Sequence, residues 1–163
     1  MPNKTLTIQQ VLALLDETPR RIAALTAGLA PAQSRTAPYH DGWSTNDVLA
    51  HLRACADVWG NCMAAVIAED APTLRAVNPR TWILKTDYLD LEFRPSLRTL
   101  AKQRDERLAV LKPLPREGWS RTATVTGAGK VLERTVLFYG QWMAGHERPH
   151  VKEIERIVDA LLM

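Results

Sequence analysis

The sequence predicts an all-α protein, an up-and-down four-helix bundle, and three observations carry that expectation. Four long segments place apolar residues at helical spacing, and no set of alternating segments reads as a sheet. The 163 residues are enough for one domain with its own core, so residues 1–163 are read as a single domain.

The first helix is expected over about 7–29, where Ile8, Val11, Leu12, Leu15, Ile22, Leu25 and Leu29 form a stripe. Pro19 falls inside it and predicts a kink near Thr18, because a mid-helix proline lacks the amide hydrogen and crowds the preceding turn. Residues 30–43 read as a loop punctuated by Pro31, Pro38 and Gly42. Ser44 then opens a second helix, with Asp47 at capping-box spacing. Its apolar face runs from Val48 to Ile67 and carries His51 on the same side as Cys55 and Trp59.

Over 70–86 the periodicity fails around Pro72 and Asn78-Pro79, leaving a short helical turn at 81–84. A third helix is expected over 91–111, with the stripe Leu97, Leu100, Ala101, Leu108 and Leu111. Arg104 lies within that row, and Pro113 and Pro115 end the helix. Residues 119–130, with alternating threonines and Gly127-Ala128-Gly129, read as a short hairpin or an extended loop. The last helix is expected from about 131 to 161. Its stripe, Leu132, Val136, Tyr139, Trp142, Met143, His146, His150, Ile154, Ile157 and Leu161, turns both histidines toward the bundle interior.

Composition narrows the function classes. Hydrophobic residues make up 46% and charged residues 24%, as in ordinary globular proteins. The net charge is +3, but acidic and basic residues are interspersed and no basic tract supports nucleic-acid binding. There is no signal-peptide apolar region at the N-terminus and no membrane-length apolar run, so no membrane association is expected. Cys55 and Cys62 lie two helical turns apart, roughly 10 Å, too far for a disulfide. A reduced, cytoplasmic protein is the expectation.

The chemistry concentrates in Gly145-His146-Glu147-Arg148-Pro149-His150. Histidines four residues apart on a helix share one face, which is how a single helix offers two imidazoles to one metal ion. His-Glu-x-x-His is also the zincin signature, in which the glutamate activates a zinc-bound water. Against a zincin, no histidine follows His150, and Pro149 removes the helical bond to the Gly145 carbonyl. A third ligand from upstream is then needed, and His51 faces inward on the second helix. Three neutral imidazoles would hold a divalent ion and leave a position open for water or substrate. The alternative is three satisfied core histidines without a metal.

The phrase Gly42-Trp43-Ser44-Thr45-Asn46-Asp47-Val48-Leu49-Ala50-His51-Leu52 resembles the first metal motif of the DinB superfamily (DinB/YfiT-like proteins). The Gly145 to Val151 stretch is similar to its second, His-x-x-x-His motif. The resemblance covers about residues 8–160. It implies a four-helix bundle with a three-histidine metal centre, commonly a homodimer. On the match His51, His146 and His150 carry over as metal ligands, with Pro149 a departure that tilts His150. The divalent ion implied is zinc, with nickel or iron as alternatives. The activity implied is that of a metal-dependent transferase, acting on a small-molecule substrate with a low-molecular-weight thiol, or of a hydrolase. The alternatives are a non-catalytic metal- or small-molecule-binding stress protein and a bundle with vestigial histidines.

The neighbours carry weaker signals. Glu147 is a candidate catalytic base, although it lies about 100° from the His146 direction and reads equally as a solvated helix residue. Asp47 reads as a helix cap. Cys55 reads as a small buried residue before a soft ligand. Arg104 reads as a snorkelling side chain, or as an anchor for an anionic substrate group. Tyr139 and Trp142 read as core or pocket wall.

Overall fold

The structure, a computed structural model, describes residues 5–163. Helix α1 (Ile8–Thr26) starts at a capping box: Thr7 Oγ1 accepts from Gln10 N at 3.1 Å, and Gln10 Oε1 accepts from Thr7 N at 2.9 Å. α1 runs through Pro19 as one helix. The carbonyl that an amide at position 19 would have bonded is that of Leu15, and it accepts instead from Arg104 Nη1 at 2.8 Å. A one-turn helix α2 (Pro31–Ser34) interrupts the following loop.

Helix α3 (Thr45–Ala68) opens as the sequence predicts. Ser44 Oγ accepts from Asp47 N at 3.1 Å, and Asp47 Oδ2 accepts from Ser44 N at 3.0 Å. The chain then forms strand β1 (Thr73–Arg75), short helix α4 (Pro79–Trp82) and 3-10 turns at Ile83–Lys85 and Tyr88–Asp90. This connection is pinned to α3 through Asp57. Its carboxylate accepts from Trp82 Nε1 at 3.0 Å, from the Tyr88 hydroxyl, and from Gln103 Nε2 of the next helix at 2.8 Å. Helix α5 (Phe93–Leu111) and one-turn helix α6 (Arg116–Trp119) follow.

Strands β2 (Thr122–Thr126) and β3 (Leu132–Thr135) form a hairpin, with Thr122 opposite Thr135 and Val125 opposite Leu132. Gly127 and Gly129, at φ +86° and +88°, turn it. β1 lies parallel to β2 at the sheet's other edge, Thr73 beside Thr124. These strands correct two expectations. A small sheet exists, and the last helix, α7 (Val136–Leu162), begins five residues later than expected because 132–135 are spent on β3. Thr135 Oγ1 caps α7 by accepting from Phe138 N at 2.9 Å.

The four long helices form a bundle, as predicted. The packed pairs are α3–α7, α1–α7, α1–α5 and α3–α5. Consecutive long helices α1 and α3 therefore lie across the diagonal, as do α5 and α7. The core runs between them through Val11, Leu15, Ile22, Leu49, Leu52, Leu100, Trp119, Met143 and Ile154, all buried. At Gly140 α7 approaches α1 so closely that a Cβ would sit 2.9 Å from Val11 Cγ1. Setting α3 beside α7 is what brings His51 to His146.

Candidate metal centre

His51, on the second turn of α3, meets His146 and His150 of α7 at the seam between the two helices. The ring centroids are 5.1 Å apart for His51–His146, 4.8 Å for His51–His150 and 4.7 Å for His146–His150. His51 Nε2 and His146 Nε2 lie 3.3 Å apart. The two residues either side of Pro149 remain helical, so the proline leaves His150 on the same face as His146. All three histidines are half-buried rather than interior, because the centre of α7's buried face is the row Met143, Ala144, Glu147, Val151 and Ile154.

Burial, then the neighbouring His150 and His146, depress His51 from the ordinary 6.5 to about 4; Arg80 lowers it further and Glu153 opposes. Burial, then His150, likewise brings His146 to about 4. Both rings are thus neutral at physiological pH, the state in which imidazole is a ligand. His146 Nδ1 is buried and has no hydrogen-bond partner among the described residues. His150 Nδ1 contacts Glu153 Oε1 at 2.9 Å. Such a carboxylate fixes the ring and leaves Nε2 as the free nitrogen.

Cys55 stands one turn beyond His51, buried, with Sγ 3.6 Å from His51 Nε2. His51, Cys55 and His146 each offer a donor atom within 4.8 Å of the others, a group that can hold a metal ion. Burial pushes the Cys55 thiol up to about 12, with the Glu147 charge adding and Arg80 opposing. Aromatic rings wall the cluster. Trp43, 36% exposed, stacks on His150 at 6.2 Å and tilts over His51 at 5.3 Å, while Trp59 meets His146 edge-on at 5.0 Å. Trp142 packs on Trp59 and is 45% exposed, outside the core stripe the sequence assigned it to.

Glu147 departs from both expectations for it. It is 3% exposed, and its two oxygens are held by Arg104, Oε1 to Nη1 at 3.0 Å and Oε2 to Nη2 at 2.6 Å. The 100° offset from His146 turns it into the core, not to solvent, and the ion pair engages the oxygens that a general base would use. Arg104, 2% exposed, likewise neither snorkels nor faces a substrate. Sequence reasoning missed Glu153 as the partner of His150, for which the only signal was i,i+3 spacing. It also missed Arg80, an exposed cation on α4 whose side chain makes no ion pair among the described residues and whose charge is felt at His51 and Cys55.

A helical bundle that gathers three histidines and a cysteine from two adjacent helices defines a candidate metal-binding protein. The DinB superfamily model matches residues 14–154, and the chain belongs to the DinB superfamily. Among solved structures, the chain is similar to YfiT from Bacillus subtilis, described as a probable metal-dependent hydrolase with an unusual four-helix bundle topology. The TM-score is 0.73 at 19% identity, covering 96% of this chain and 91% of that one, which establishes the shared fold. No curated protein matches the sequence.

Proposed function

We propose that this protein holds one divalent metal ion through His51, His146 and His150 and uses it in thiol transfer or hydrolysis on a small-molecule substrate. The observation that carries this is the convergence of three imidazole rings from two neighbouring helices, with centroids 4.7, 4.8 and 5.1 Å apart. The donor set fits: two uncharged buried-side imidazoles and a third backed by a carboxylate suit zinc first, nickel or iron next. When bound, such an ion supplies Lewis acidity that lowers the pKa of a coordinated water or thiol.

The protein's own residues supply the rest. Glu153 orients His150, and Trp43 covers the outer edge of the cluster. Arg80 places a positive charge where an anionic substrate group would approach. Glu147 acts as a positioning residue, tying α7 to α5 through Arg104. The description of YfiT supports the hydrolytic branch, and the family resemblance supports transfer to or from a low-molecular-weight thiol. Binding without turnover is favoured by one observation, that the carboxylate adjoining His146 is fully engaged by Arg104.

Metal analysis of protein purified without a polyhistidine tag tests the site. About one equivalent of divalent metal is expected in the wild type, and strong depletion in His51→Ala, His146→Ala and His150→Ala. Equal, negligible metal in all four would remove the basis for both branches. Metal-dependent loss of a low-molecular-weight thiol with an electrophile, or hydrolysis across an ester and amide panel, then separates catalysis from binding alone.

A further inference from the structure

The histidine cluster has a neighbour that the three-histidine assignment leaves unused. Cys55 Sγ lies 3.6 Å from His51 Nε2, and His146 Nε2 lies 3.3 Å from that same nitrogen. One imidazole nitrogen carries either a lone pair or a hydrogen, so His51 Nε2 could meet both neighbours by hydrogen bonding only through a single shared, three-centre bond. Around a tetrahedral ion the distances are set by bond lengths. With zinc–nitrogen bonds of about 2.0–2.1 Å and a zinc–sulfur bond of about 2.3 Å, tetrahedral angles place two nitrogens about 3.3–3.4 Å apart and nitrogen and sulfur about 3.5–3.6 Å apart. The two separations seen in the protein match both values. The i,i+4 placement on α3 stacks Cys55 one turn beyond His51, and packing holds it there: Ala54, Cys55 and Ala56 are all buried.

From this spacing we infer that Cys55 is a protein ligand of the metal, bound as thiolate beside His51 and His146. The inference rests on the metal reading proposed above and changes its character. Coordination replaces the thiol proton, which leaves to solvent, so that a neutral Cys55 becomes an anionic donor and the net charge of the centre falls by one. A thiolate turns the site toward zinc and other borderline-soft ions and away from magnesium, calcium and manganese. His51, Cys55 and His146 are the three residues whose donor atoms come within 4.8 Å of one another, so they would hold the ion, with His150, water or a substrate donor left to complete its coordination. Cys62, two turns from Cys55 on the same helix, lies outside the group.

Cobalt(II) substitution tests this on the full chain. Metal-stripped, untagged protein is titrated with cobalt(II), with absorption followed in the visible and near ultraviolet and uptake measured by metal analysis. The wild type and Cys62→Ser are expected to bind one equivalent and show a sulfur-to-cobalt charge-transfer band. Cys55→Ser is expected to bind cobalt more weakly, keep the visible bands of histidine ligation and lose the charge-transfer band entirely. Cobalt uptake by the wild type without that band, persistence of the band in Cys55→Ser, or its loss from both serine variants alike overturns the cysteine assignment and leaves the histidine site standing. Absence of uptake by the wild type removes the metal reading and this inference together.

Discussion

At the scale of single residues, the site is governed by which protons its histidines keep. His51 and His146, depressed to about 4 from 6.5, take up protons in the unfolded chain before they do in the folded one. Between roughly pH 6.5 and 4 the unfolded state therefore binds more protons, and stability falls as pH drops through that window. Metal-stripped protein should show a urea midpoint that declines from pH 6.5 toward 4, with a shallower decline in a His51→Gln, His146→Gln double variant. An equal slope in both proteins would assign the acid sensitivity to other groups. Glu153 acts on the remaining ring. Its loss in Glu153→Ala should weaken metal affinity about 10–100-fold by chelator competition. The melting temperature of the metal-free protein should barely move, since Glu153 lies near the surface. The three histidines were legible because helical spacing fixes the face each one occupies. Glu153 and Cys55 stand at equally readable spacings, i+3 from His150 and i+4 from His51. What the sequence lacks is the distance between facing helices, and that distance decides whether a sulfur one turn away is packing or ligand.

At the scale of elements, Arg104 and Glu147 form the joint that keeps α7 in register beneath the histidines. Arg104 reaches from α5 to the Leu15 carbonyl of α1 and to Glu147 of α7, so one guanidinium ties three helices. The carbonyl is free to accept because Pro19 has no amide hydrogen to offer it. Replacing Arg104 with Met leaves a buried carboxylate and an orphaned carbonyl, and should cost about 3–5 kcal/mol in urea unfolding. Adding Glu147→Leu should restore most of that loss, since a buried pair exchanged for apolar groups is often neutral. Pro19→Ala in the same background should restore more by returning the helical bond to Leu15. A double variant as unstable as Arg104→Met alone would show that the carboxylate is not the source of the cost. Neither partner was legible as a pair, because periodicity reports which face a residue takes but not which helix it meets. The start of α7 was misplaced for a related reason. Val131-Leu132-Glu133-Arg134-Thr135 suits a helix as well as a strand, and only pairing with Val125 and its neighbours, closed by two left-handed glycines, selects the strand.

At the scale of the whole molecule, the bundle's order around its axis matters more than its helix count. The four helices were legible from their stripes, but the diagonal placement of α1 against α3 was not, since nothing in a stripe says which neighbour lies beside it. Because the proposed ligands come from α3 and α7 together, an ion binds the assembled bundle and not the separate segments. Zinc at about 100 times its dissociation constant should then stabilise the protein by about 2.7 kcal/mol, seen as a rise in melting temperature that His51→Ala abolishes. A rise of equal size in the variant would place the ion elsewhere. The same split between helices sets a schedule for the newly made chain. His51 and His146 are 95 residues apart. At about 5–20 residues per second, the ribosome takes roughly 5–20 s to deliver the second after the first. During that interval α3 lacks the α7 side of its His51–Cys55 edge, so loading of the proposed ion would belong to the last stage of synthesis, and a thiol that will end up buried passes through a period of exposure to whatever oxidants and ions surround it.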